Sequence, residues 1–152
     1  MPIISERQAE QLRAQFQAAG RTPVTIVFFP YQAAPGEAPG ELALASDDTR
    51  ALLREVVALA PAYLTLEERD LTRDVAEARA LGIERTPVFA LRGRAAGLLR
   101  TFGAPTNYEF TTLIDDLLAL VADGHTSLDE SVREALSLLR RPAHLQVFVA
   151  PT

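Results

Sequence analysis

The chemistry open to this chain is set first by two residue types it lacks. Its 152 residues include no cysteine and no lysine, so every basic side chain is an arginine. Without thiols there is no disulfide, no thiolate nucleophile and no cysteine-based metal site. Without lysine, Schiff-base chemistry is excluded, and phosphate could be held only by guanidinium forks. The two histidines, His125 and His144, have no Glu, Asp or His at a usual ligand spacing, so neither is assigned to a metal.

Three carboxylate pairs, Asp47-Asp48, Glu67-Glu68 and Asp115-Asp116, invite an acid–base reading. Adjacent residues on a helix point in different directions, and the first pair falls where a helix N-terminus is expected, so solvated charge is the plainer account. Arg92-Gly93-Arg94 could hold an anion, but a Gly-centred turn between two strands explains it equally. There is no G-x-S-x-G elbow, and the stretch from Pro35 to Gly40 lacks the Lys-Ser/Thr ending of a phosphate loop. What remains is Thr86-Pro87 at the head of an apolar run. Pro87 is read as a cis-proline at an edge where an extended peptide could dock; the competing reading is a trans proline opening an edge strand.

Length and composition bound the answer further. The chain is long enough for one core of ordinary size and too short for two complete domains, which suggests a single domain with an appendage. A net charge of −5 argues against a nucleic-acid partner, which would call for a basic face. Met1 to Arg7 lacks a basic region leading into a long apolar one. No apolar run approaches the ~20 residues needed to span a bilayer, so the chain is expected to be cytoplasmic with no membrane partner.

The elements that must position Thr86 and Pro87 follow from periodicity. Ser5 with Gln8 fits a capping box for a helix from about Glu6 to Ala19, closed by Gly20. Val24 to Phe29 is apolar and β-branched or aromatic nearly throughout, the pattern of a strand covered on both faces. Pro30 to Gly40 is broken by prolines and glycines, and a helix is expected from Asp47 to Ala60, capped by Ser46 or Asp47. A half-buried strand from Tyr63 to Arg69, a short helix from Thr72 to Leu81, and a hairpin of Thr86 to Leu91 with Leu98 to Phe102 follow. A helix from Tyr108 to Val121 is stopped by Gly124. This order predicts an α/β fold with a mixed central sheet and helices on both faces.

After Gly124 the pattern restarts. Ser127 and Glu130 suggest a second capping box, a helix to about Arg140, and a strand from His144 to Val149. Ser5 to Phe29 and Ser127 to Val149 therefore read as the same helix-then-strand unit. Their separation suits a tandem domain rather than a solenoid. The expected organisation is one module over 1–124 and the opening helix and strand of a second over 125–152.

Two segments carry a family resemblance. Gly82-Ile83-Glu84-Arg85-Thr86-Pro87-Val88-Phe89 resembles the segment holding the cis-proline of thioredoxin folds. Phe102-Gly103-Ala104-Pro105-Thr106-Asn107-Tyr108-Glu109-Phe110 resembles the strand-to-helix junction of the first module in tandem thioredoxin-fold proteins. That group comprises the glutaredoxin-like protein disulfide oxidoreductases and the N-terminal domain of the alkyl hydroperoxide reductase flavoprotein subunit. The closing Gln146-Val147-Phe148-Val149-Ala150-Pro151-Thr152 is similar to the segment that precedes the active-site C-x-x-C of the second module.

The resemblance implies a thioredoxin-like fold. With Val27 in register with Val147, Ala33, Ala34, Pro35 and Gly36 occupy the place of a C-x-x-C in the first module, and the second module's own would begin just after Thr152. A dithiol works because a helix N-terminus stabilises the attacking thiolate and a neighbour resolves the mixed disulfide, which Ala33 and Gly36 cannot do. The implied function is a redox-inactive module of a protein disulfide oxidoreductase. It has no catalytic residues and no cofactor of its own, and its partner is a protein, either a redox partner or a second module. The alternative is a self-contained, cysteine-free binding or assembly module using the Pro87 edge or the closing strand. Leu145, Val147 and Val149 are expected to need cover, either by docking on the first module or by pairing in a homo-oligomer.

Overall fold

A computed structural model describes residues 3–34, 36, 38, 40–94, 97–106, 108–124 and 127–147. Helix α1 (Glu6–Ala19) begins at a complete capping box, in which the Ser5 side chain and Gln8 backbone, and the Gln8 side chain and Ser5 backbone, bond reciprocally. Its apolar face buries Ala9 and Phe16. It is followed by β1 (Val24–Phe29), α2 (Glu41–Leu59), β2 (Leu64–Glu68), α3 (Val75–Ala80), β3 (Val88–Arg92), β4 (Leu99–Phe102), α4 (Tyr108–Val121) and α5 (Glu130–Ser137).

The four strands form one mixed sheet in the order β2-β1-β3-β4. β1 runs parallel to β2, with Val24 opposite Leu64, and antiparallel to β3, with Phe29 opposite Val88. β3 and β4 are antiparallel, and Val88 faces Phe102. The near-continuous apolar run of β1 is explained by its two covered faces. Val24, Ile26 and Phe28 join Phe16 of α1, Leu53 and Val56 of α2, and Leu117 and Val121 of α4 in the larger core. Val27 and Phe29 point the other way, into a smaller cluster with Val88, Ala90, Ala78, Leu81 and Ile83 beneath α3. Each large side chain buried this way stabilises the fold by about 1.5–3 kcal/mol.

The smaller face is completed by charge. Around the short helix α3, Arg69 pairs with Glu77 at 2.6 Å and also with Glu67, while Arg92 reaches Glu77 at 3.2 Å and Glu67 at 3.6 Å. Arg69 holds the Glu77 carboxyl below its ordinary range. Glu68 pairs with Arg50 at 3.0 Å and Arg54 at 2.7 Å, so Glu67 and Glu68 are strand residues engaged by arginines rather than solvated charge.

Three sequence expectations need correction. Helix α2 starts at Glu41, six residues before Asp47, with Gly40 at the N-cap and no side-chain cap. Glu41, Leu42, Ala43, Leu44 and Ala45 are strong helix formers, and they carry the helix back to Gly40. Asp47 and Asp48 therefore lie inside the helix, where Asp47 pairs with Arg50 at i+3. The last helix begins after Asp129, without the Ser127 cap, and ends at Ser137 rather than Arg140. His144 to Val147 form no strand, and Phe148 and Val149 lie outside the described residues.

The third correction has a packing cause. A strand needs an edge to pair with, and no described residue of 127–147 is buried. Leu145 is 89% exposed and Val147 is 84% exposed, so neither is covered by the rest of the described chain. Among the described residues, no helix is long and apolar enough to cross a membrane.

Candidate functional site

The positions anticipated from sequence lie on two of three loops that meet at one end of the sheet: the segment after β1, the segment before β3, and, joining them in the structure, the segment after β4. Two buried hydroxyls of α2 bring them together. The Tyr31 N–H donates to Ser46 Oγ at 2.9 Å, fixing the start of the β1–α2 loop. Thr49 Oγ1 donates to the Ala45 carbonyl at 2.6 Å and reaches the Gly103 carbonyl at 3.5 Å, on the segment after β4. Ser46 and Thr49 are each 1% exposed, and in that setting a hydroxyl without a partner would be costly.

Gly103 closes the third side. Its N–H donates to the Pro87 carbonyl at 3.1 Å, continuing the β3–β4 ladder one step past the Val88 to Phe102 pair. Gly103 has φ +86°, a left-handed conformation that glycine adopts at little cost. The Thr86–Pro87 peptide bond is cis, Pro87 is buried and Thr86 is partly exposed. Phe102 stands beside this edge with the Arg85 guanidinium 4.4 Å from its ring centroid.

The other positions assigned from sequence lie in the loop between β1 and α2: Ala33, Ala34 and Gly36 are exposed there, and Pro35 lies outside the described residues. This loop is tied across to the β2–α3 turn, where Gln32 Nε2 donates to Asp70 Oδ2 at 3.0 Å. The Asp70 carboxylate also accepts from the Thr72 hydroxyl and N–H at 2.7 Å each, and these bonds, with the Thr72 hydroxyl and Gln32 contributing most, hold its pKa down at about 2.

The first helical residue after the loop is Glu41, so Ala33 and Gly36 precede the helix rather than cap it. At Ala33, Ala34 and Gly36 the described loop is exposed, and it lies ahead of the helix N-terminus, where the helix dipole has little reach. Among the described residues, no group of three or more His, Asp or Glu side chains could hold a metal ion. His144 is exposed, and His125 lies outside the described residues. Arg92 and Arg94 are directed to carboxylates, Arg94 reaching Asp123 at 3.8 Å. The Asp116 carboxyl is pushed up, by partial burial first and by Asp115 second, but stands apart from these loops on α4.

Sequence reasoning missed Ser46 and Thr49 as site residues, taking Ser46 for a helix cap. The available signal was their i,i+3 spacing on the same face as Leu53 and Val56, which places two hydroxyls on the buried stripe.

No protein-family model matches the sequence, and no curated protein matches it. Solved structures do match. A mutant of the alkylhydroperoxide reductase component AhpF from Enterococcus faecalis aligns over 90% of this chain and 61% of its own, at 23% identity and a TM-score of 0.71. The NTD_N/C domain of the same protein aligns over 86% of this chain and 58% of its own, at 23% identity and a TM-score of 0.69. A protein disulfide oxidoreductase from Aeropyrum pernix aligns over 89% of this chain and 55% of its own, at 23% identity and a TM-score of 0.67. The chain thus spans about three fifths of the length of these structures. With the mixed four-stranded sheet and its flanking helices, this likeness shows that the chain has a thioredoxin-like fold.

Proposed function

We propose that residues 1–124 are a redox-inactive thioredoxin-like module belonging to a protein disulfide oxidoreductase, and that 125–152, with helix α5, open a second module. The observation that carries this reading is the absence of any cysteine in a chain whose fold is that of disulfide oxidoreductases. In this reading Ala33, Ala34, Pro35 and Gly36 stand at a vestigial dithiol position. Thiol–disulfide exchange is carried out by cysteines outside this sequence, and this chain contributes structure and partner binding.

Thr86 and Pro87 are the docking edge. The partly exposed Thr86, beside the exposed Phe102 ring, suits a partner segment in extended conformation. The exposed apolar stripe of Leu128, Val132, Leu136 and Leu139 supports the tandem reading, since the corresponding α1 face is buried in the first module.

The test is dithiothreitol-driven reduction of insulin. This chain is expected to leave the uncatalysed rate unchanged, and measurable turnover would refute the inert-site reading. A complementary test fuses the chain to a dithiol-bearing thioredoxin-like module. Protection of Leu136 and Leu145 amides from hydrogen exchange supports a second-module role, whereas unchanged exchange favours a self-contained assembly module.

A further inference from the structure

We infer that Arg85 makes the Thr86–Pro87 edge selective for acidic segments, so that a protein partner carrying a carboxylate beside an extended stretch is preferred over a neutral one. The inference rests on the reading of that edge as a docking site. It comes from one local arrangement. Arg85 is exposed, lies two residues before Pro87, and stacks its guanidinium over the Phe102 ring at 4.4 Å. Phe102 is itself paired with Val88, the residue after Pro87, so the aromatic platform lies one rung from the proline, which receives the Gly103 N–H.

Stacking on the ring engages one face of the guanidinium and limits the rotamers of a long side chain, while the in-plane N–H groups stay free. Among the described residues Arg85 makes no ion pair or hydrogen bond. Its neighbours differ. Arg92 is held by Glu77 and Glu67, and Arg100 donates to the Leu81 carbonyl at 3.2 Å and the Gly82 carbonyl at 2.7 Å. The adjacent Glu84 is exposed and forms no ion pair with Arg85.

An exposed cation already ordered beside the Thr86–Pro87 segment is suited to a bidentate contact with a carboxylate, because less freedom is lost on binding. The chain as a whole carries a net charge of −5, so the preference arises by contact and not by long-range attraction.

The experiment titrates the full chain with capped hexapeptides of β-prone residues, one with a central Asp and one with Asn, and follows the Arg85, Thr86 and Val88 amides by NMR. A third, neutral peptide with a free C-terminus distinguishes a side-chain carboxylate from a chain end. The Asp peptide is expected to bind about five- to ten-fold more tightly than the Asn peptide, the scale of an exposed but pre-ordered charge pair. Arg85→Gln should erase the difference, Arg85→Lys should keep part of it, and Phe102→Leu should shrink it. Equal binding of the two peptides, or a preference that survives Arg85→Gln, overturns the acidic selectivity while leaving the docking edge standing. Amide shifts absent with every peptide overturn both. Tight binding confined to the free C-terminus supports the carboxylate contact and assigns it to a chain end.

Discussion

The hydroxyl of Ser46, buried in the second turn of α2, accepts the Tyr31 N–H at 2.9 Å and so joins the loop after the central strand to the helix that follows it. The bond satisfies a backbone donor that has left the sheet ladder. It also sets where the β1–α2 loop begins.

Ser46→Ala removes that acceptor and leaves a partly buried N–H without a partner. The expected cost is about 1–3 kcal/mol, read as a lower urea midpoint with an unchanged slope. A loss of under about 0.3 kcal/mol would show that water replaces the hydroxyl at no cost.

Ala33→Cys tests the electrostatics of the proposed dithiol position. Because Ala33 precedes the first helical residue, Glu41, by several residues, the introduced thiol lies outside the region where a helix N-terminus acts. Its pKa, followed by thiolate absorbance, should stay near the ordinary ~8.5. A value below about 7 would mean that the loop itself supplies the activation.

Asp70 sets a pH window. Its carboxylate, bound by Thr72 and Gln32, titrates at about 2 in the folded protein against an ordinary 3.8. Since the folded value is the lower one, the stability it contributes is present in full above about pH 4 and is lost as pH falls toward 2. Asp70→Asn should flatten the fall in thermal midpoint across that window and leave the neutral region nearly unchanged. An equally steep fall in the variant would assign the acid lability elsewhere, Glu77 being the next group held down by a cation.

Gly20 closes α1 with its N–H on the Phe16 carbonyl at 2.8 Å, and a Cβ there would overlap the Tyr63 ring. Its φ of −59° is open to any residue, so the constraint is space and not backbone strain. Gly20→Ala should destabilise by about 1–3 kcal/mol, and combining it with Tyr63→Ala should recover part of the loss. Strictly additive effects would rule out the contact as the cause.

Deleting residues 125–152 should change the stability of the remaining chain by less than about 0.5 kcal/mol, because no described residue of 127–147 is buried. A drop of several kcal/mol in chemical denaturation would reveal packing between this segment and the rest of the chain.

The elements whose ends are fixed locally were legible in the sequence. The Ser5 to Gln8 capping box and Gly20 bound α1, unbroken β-branched and aromatic residues bound β1, and helical spacing up to Val121 bounds α4. The start of α2 was not legible, because Ser46 resembles a cap and only burial reveals that its hydroxyl serves Tyr31. The strand pattern of His144 to Val147 failed for the opposite reason, since its propensity is real but no described edge receives it.

Sequence alone determined that this chain has no thiol and no lysine, and that its strands and helices alternate as a mixed sheet requires. Composition and periodicity are properties of the chain itself and need no partner. Only the tertiary structure decided that Ser46 and Thr49 draw three loops toward the Thr86–Pro87 edge, and that Arg85 stands over Phe102. Those contacts join residues far apart in the chain, and their register is set by the packing of α2 and by the β3–β4 ladder.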